Sequence, residues 1–130
     1  EIRSVNDPSR IERAELIAYQ RPADAGSRWS AYRVVPVAPH LAPDLLAGLL
    51  MTHDQAARVD KVRQVGIIGH TRVHLDRVDG LGAFVELETV IAAQTDAQAS
   101  AEHRQVIDAL GLAAWPAIAG SYGDLVGATG

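Results

Sequence analysis

At 130 residues, 48% hydrophobic and 22% charged, the chain has the length and composition of one globular domain able to bury a core, not of a disordered segment. A formal net charge of -4 gives no global basic footprint for nucleic acid, and zero cysteines exclude disulfides and thiolate metal sites, leaving Asp, Glu and His as metal ligands. No apolar run approaches the roughly 20 residues that span a bilayer. The opening "EIRSVNDPSR" is too polar for a secretory signal, so the expectation is a cytoplasmic protein with neither a membrane nor a nucleic-acid partner; its lack of an initiator methionine fits a processed, tagged or cropped start.

In chain order, "IERAELIAYQR" (Ile11 to Arg21) is strand-like, and Pro22 with Gly26 marks a turn after it. "RWSAYRVVPV" (Arg28 to Val37) predicts a second strand ending near Pro36. Pro43, at a first-turn position, opens a short helix with Leu45, Leu46, Leu49 and Leu50 on one stripe. "ARVDKVRQVGII" (Ala57 to Ile68) predicts a third strand closed by Gly69 and His70. "TRVHLDRVDGLGAFVELE" (Thr71 to Glu88) supplies a fourth and a fifth around a glycine turn. A second helix follows from about Asp96, with His103, Val106, Ile107 and Leu110 at helical spacing and Gly111 as its stop. The tail "AAWPAIAGSYGDLVG" reads as irregular. The order β-β-α-β-β-β-α predicts an α+β fold: an antiparallel meander whose apolar face the two helices cover.

The Thr71–Glu88 hairpin sets Arg72, His74 and Asp76 against Val73 and Leu75, then Glu86 and Glu88 against Val85 and Leu87. A two-residue turn would oppose the charged face of one strand to the apolar face of the next. An odd loop centred on Leu81 instead places Asp76 opposite Glu86 and His74 opposite Glu88, and Gly80 or Gly82 can supply the positive φ it needs. Glu86 and Glu88 then lie roughly 7 Å apart on one face. Three neighbouring carboxylates call for cations among them, which Arg72, His74, Lys61 and Arg63 can supply. On pattern alone the face reads in two ways. It is a solvated sheet surface laced with ion pairs, or a site where carboxylates hold Mg²⁺ or Mn²⁺ and bases neutralise phosphate oxygens.

Other residues give weaker signals. Trp29 and Trp115 read as packing residues rather than base-stacking platforms. The five histidines include no helical i, i+4 pair, which argues against a helix-borne zinc motif. "GLG" and "AGSYG" match no phosphate loop, and Ser30 and Ser121 lack an identifiable base and orienting acid. His103 reads as a core or rim residue.

The ordered motifs resemble the CYTH superfamily, the group of class IV adenylyl cyclases and thiamine triphosphatases. "AELIAYQRP" is similar to the family's Tyr-x-Arg-Pro strand and "GSRWSAY" to its Gly-x-(basic)-x-Ser-x-Tyr continuation. "DKVRQVGIIGHTRVHLD" resembles its Lys-x-Arg strand followed by Thr-Arg-(Ile/Val)-His-Leu-Asp. "VDGLGAFVELE" resembles Val-Glu-Gly-Leu-Gly-x-Phe-x-Glu-Leu-Glu with Asp79 replacing a glutamate, and "AGSYGDLV" the family's Gly-Ser-Tyr-x-Asp-Leu ending.

The resemblance implies a closed antiparallel tunnel of about eight strands with a polar lumen. It implies Asp76, Glu86 and Glu88 as ligands of Mg²⁺ or Mn²⁺, and Lys61, Arg63 and Arg72 as catalytic and triphosphate-binding bases. Arg21, Arg28 and His74 would also line the substrate site. The partner would be a triphosphate-containing small molecule: ATP, thiamine triphosphate or inorganic triphosphate. The implied activity is metal-dependent triphosphate hydrolysis, or cyclisation of ATP to cyclic AMP. The alternative is a non-catalytic polyphosphate- or small-anion-binding relative. One departure motivates it: the family's N-terminal Glu-x-Glu-x-Lys occurs nowhere in this sequence. The expectation is a single CYTH-like domain over residues 1–130 that corresponds to the C-terminal two-thirds of the family fold. Five predicted strands would leave an edge for another segment, or a second copy of the chain, to complete.

Overall fold

The computed structural model describes residues 2–5, 11–20 and 29–128, which fall into two compact units, Glu1–Ala56 and Ala57–Gly130. The first unit holds an antiparallel sheet in the order β1 (Ile2–Val5), β2 (Arg13–Gln20), β3 (Ala31–Val37). In β2 the Arg13 guanidinium meets Glu15 on the same strand face at 3.0 Å. A 3₁₀ turn at Pro39–Leu41 leads into α1 (Ala42–Leu50), with Pro43 in its first turn as its fixed φ favours. Leu45 and Leu49 of the expected stripe are half-buried, whereas Leu46 and Leu50 are exposed. β1 is an extra strand: "IRSV" is too short and too polar for its alternation to stand out.

The second unit is built on the meander β4 (Lys61–Ile68), β5 (Thr71–Val78), β6 (Gly82–Thr89). β4 and β5 meet at a two-residue turn, Gly69 and His70, where Gly69 adopts φ 58°. A Cβ there would come within 2.9 Å of Glu102 Oε1, so glycine is required both for φ and for space. After β6, α2 (Asp96–Ala109) starts at a capping box: the Thr95 hydroxyl accepts from the Gln98 N–H and the Gln98 side chain accepts from the Thr95 N–H. It stops where Gly111 turns left-handed at φ 65°, as the sequence indicates. A third helix, α3 (Tyr122–Ala128), lies in the tail expected to be irregular. No described helix is long and apolar enough to cross a membrane. The architecture is α+β, antiparallel sheets with flanking helices, and among the described residues the sheets are not closed.

The β5–β6 connection is odd, as expected, but its centre is Gly80 and not Leu81. The Leu81 N–H donates to the Val78 carbonyl at 3.1 Å, and Gly80 takes φ 75° at the third position of that turn. Each β5 residue therefore pairs two residues earlier in β6 than the sequence reading places it. Arg72 faces Glu88, His74 faces Glu86 and Asp76 faces Phe84. The charged faces still meet, because the parity of the loop is right.

Burial departs further from expectation. On β5 His74 and Asp76 of the ionisable face are dry, 6% and 3% exposed, while Arg72 on that face is open and Leu75 and Val85 on the other are 49% and 48% exposed. α2 covers only one end of the apolar face, and it does so largely through polar contacts. Glu102 accepts from the His70 N–H at 2.6 Å and from the Thr71 hydroxyl at 3.1 Å. Thr71 and Thr89 hydroxyls share a 2.7 Å hydrogen bond, and Thr89 meets His103 Nδ1 at 2.8 Å. Thr71 is fully buried in this chain of contacts, and burial pushes the His103 imidazole pKa down. Val106 is buried beside them, a contribution of about 2 kcal/mol from apolar area removed from water. An open groove of about 200 Å³ lies along this docking line, floored by Ile68, Val106 and Ala109. Trp29 and Trp115 are both exposed, contrary to the packing role read from their type; Trp115 follows the short 3₁₀ turn Leu112–Ala114 in a stretch with no regular structure.

Candidate active site

Strand alternation puts Lys61, Arg63, Arg72, His74, Asp76, Phe84, Glu86 and Glu88 on one face of the second sheet. Arg63 is the direct partner of Asp76 across β4 and β5, so its side chain reaches the carboxylate with the two oxygens of the pair in a fork. Arg63 Nε donates to Asp76 Oδ1 at 2.7 Å and Arg63 Nη2 to Oδ2 at 2.6 Å, while Lys61 Nζ donates to Oδ2 at 3.1 Å. The same Nη2 donates to Glu86 Oε2 at 2.6 Å, so one guanidinium bridges two carboxylates.

Electrostatics follow from that geometry. Burial works to push the Asp76 carboxyl up, but the Arg63 and Lys61 hydrogen bonds and charges win and hold it down at about 2. Burial likewise opposes the charge on Arg63, and Asp76 with Glu86 more than restores it. His74 sits between two carboxylates, Nδ1 at 3.7 Å from Glu86 and Nε2 at 3.9 Å from Glu88. Burial and the neighbouring Arg63 charge nevertheless lower its pKa below the ordinary imidazole value. Among the described residues His74 Nδ1 is buried with no hydrogen-bond partner. At the far end Arg72 meets Glu88 at 3.3 Å, with Arg72 exposed.

Sequence reasoning missed Tyr122. Its ring packs on Phe84 with centroids 5.1 Å apart and planes tilted by 55°, and Lys61 Nζ lies 4.8 Å from the ring centroid. Burial pushes its hydroxyl pKa up, and hydrogen bonding with the Asp76 carboxylate adds to the rise. The signal that could have found it is Ser121-Tyr122-Gly123-Asp124. The Asp124 carboxylate accepts from the Ser121 N–H at 2.6 Å and the Ser121 hydroxyl accepts from the Asp124 N–H at 3.2 Å, a helix-start box written in the sequence.

Lys61, Arg63, Arg72, His74, Asp76, Glu86 and Glu88 are thus brought to one face, while Arg21 and Arg28 lie outside the described residues. Mg²⁺ or Mn²⁺ held jointly by Asp76, Glu86 and Glu88 does not fit this arrangement. Both Asp76 oxygens are taken by Arg63 and Lys61. Its cross-strand neighbour is Phe84, not Glu86. Among the described residues no three His, Asp or Glu side chains are gathered to hold a metal ion. What the face can do is present cations to an anion: Arg63 Nη1 keeps its hydrogens clear of the Asp76 and Glu86 bonds, and Lys61 uses one donor on Asp76.

Comparison with known proteins agrees with this reading of the fold. No curated protein matches the chain. A solved structure, a conserved hypothetical protein from Pyrococcus furiosus, superposes with a TM-score of 0.59 at 15% identity, covering 95% of this chain and 79% of that one; this shows shared fold alone. The family model for the CYTH domain matches residues 7–120. That match, over most of the chain, shows that the chain belongs to the CYTH family, whose fold is a triphosphate-binding tunnel.

Proposed function

We propose that this chain binds a triphosphate-containing small molecule (ATP, thiamine triphosphate or inorganic triphosphate) on the charged face of β4–β6. Residues 1–130 act in this reading as one CYTH-like domain, which a family match spanning residues 7–120 supports. The observation that carries it is the held state of the cations. Arg63 is fixed by a fork on Asp76 and a bond to Glu86, and Lys61 by Asp76. A phosphate group then meets side chains already ordered, and little further rotamer freedom is lost on binding. Arg72 adds a third cation at the wetter end, where it exchanges Glu88 for a phosphate oxygen. Lys61, Arg63 and Arg72 would stabilise charge developing on an attacked phosphoryl group if turnover follows binding.

Divalent-metal-dependent hydrolysis, or cyclisation of ATP, is the finer activity that membership of this family suggests. A non-catalytic polyphosphate- or small-anion-binding role is the second reading, favoured by the engagement of both Asp76 oxygens by Arg63 and Lys61. ³¹P NMR separates them, with each triphosphate offered in turn in the presence of Mg²⁺ or Mn²⁺. Shifted or broadened phosphate resonances with no product mean binding alone. Orthophosphate means hydrolysis, and pyrophosphate with cyclic AMP means cyclisation. Resonances that neither shift nor convert for any of the three overturn the proposal.

A further inference from the structure

Tyr122 belongs to none of the charged motifs, and its helix comes late in the chain, yet it lies against three members of the cluster. Its ring rests on Phe84, the direct cross-strand partner of Asp76. The Lys61 ammonium lies over the same ring, 4.8 Å from its centroid, and reaches Asp76 Oδ2 at 3.1 Å. A lysine on an open strand samples many rotamers; here a carboxylate and an aromatic ring hold one ammonium from two sides. The helix that delivers the ring starts at Tyr122 because Ser121 and Asp124 close its first turn, and Gly120 at φ 81° sets the approach.

We propose that Tyr122 is a positioning residue for phosphate binding: its ring fixes the Lys61 ammonium over Asp76, so that an incoming phosphate meets a cation already in place. This rests on the proposed triphosphate-binding function. The chemistry is cation–π attraction between a primary ammonium and a phenol ring, together with the shape of the Phe84–Tyr122 contact. The ring holds the ammonium, so Tyr122→Phe keeps that contact and gives up only the hydroxyl's hydrogen bond to Asp76, whereas Tyr122→Leu removes the ring.

The test is calorimetric titration of inorganic triphosphate into wild type, Tyr122→Phe, Tyr122→Leu, Lys61→Met and the Lys61→Met/Tyr122→Leu pair, each first checked for a folded thermal transition. A second readout needs no ligand: the ring-current displacement of the Lys61 ε-methylene resonances. The expected result is a roughly two- to tenfold weaker Kd for Tyr122→Leu, a smaller loss for Tyr122→Phe, which gives up only the hydroxyl's bond to Asp76, and little further weakening by Tyr122→Leu once Lys61 is methionine. The Lys61 resonances are displaced in wild type and Tyr122→Phe and return to ordinary lysine values in Tyr122→Leu. Additive losses in the pair, equal losses in Tyr122→Phe and Tyr122→Leu, or full affinity in Tyr122→Leu overturn it. If Tyr122→Leu does not fold, Tyr122→Phe and the wild-type Lys61 resonances decide alone: ordinary lysine values in the wild type overturn the proposal. Wild type that ignores triphosphate, with Lys61 still displaced, removes the proposed ligand and leaves the positioning of Lys61 standing.

Discussion

At one end of the charged face Asp76 is dry, forked by Arg63, touched by Lys61 and roofed by Tyr122; at the other, Arg72 meets Glu88 at 3.3 Å and reaches into water. Both ends are drawn from the same alternation of charge along β5 and β6, so sequence pattern treats them alike. The difference lies in what lies over each end. A buried carboxylate with forked and single cations has no water to fall back on, and losing a partner leaves an uncompensated charge. An exposed pair exchanges its partner for solvent at small cost.

Removing each carboxylate is the strongest way to break that comparison. Asp76→Ala leaves Lys61 without its carboxylate and Arg63 with Glu86 alone, and is expected to destabilise the second unit by about 3 kcal/mol in a denaturant titration. A loss near that of a surface pair would show that Asp76 is reached by water. Acid gives the next largest effect. The Asp76 pKa is depressed to about 2 from 3.8, so its contribution of about 2 kcal/mol is complete at pH values above its unfolded pKa and is lost as pH falls through the folded one. Thermal midpoints measured downward from pH 5 should fall, and in Asp76→Asn that part of the fall should be missing.

Gly69→Ala sharpens the contrast from outside the charged face. It places a Cβ at φ 58° and within 2.9 Å of Glu102, and should cost about 1–2 kcal/mol while leaving triphosphate affinity unchanged. The smallest effect is at the wet end. Arg72→Ala is expected to change stability by about 1 kcal/mol or less. Raising ionic strength to about 1 M should erase even that difference, because exposed charges are screened and buried ones much less so.

Much of this was legible beforehand. Period-two alternation found β4, β5 and β6, and Gly111 marked the end of α2, because those signals are local and strong. The parity of the β5–β6 loop followed from keeping like faces together, but its centre did not. Gly80 and Gly82 can both hold positive φ, and both do, at 75° and 106°. The burial of the Asp76 end of the charged face was hidden because hydropathy assumes that charged sides meet water, whereas here Tyr122 arrives from a tail rich in Gly and Pro to cover Phe84 and Lys61. β1 and α3 are too short for periodicity to register.

The Gly80-centred turn carries a consequence for how such a face could change over generations. Every pairing on it (Arg72 with Glu88, His74 with Glu86, Asp76 with Phe84) is counted outward from that one loop. A substitution alters one member at a time, but moving the centre of the turn by one residue, from Gly80 to Leu81, would re-address the whole row while leaving every side chain on its own face. Asp76 would then face Glu86 and His74 would face Glu88, so one move of the turn would rewrite an arrangement of charge that many point changes could not.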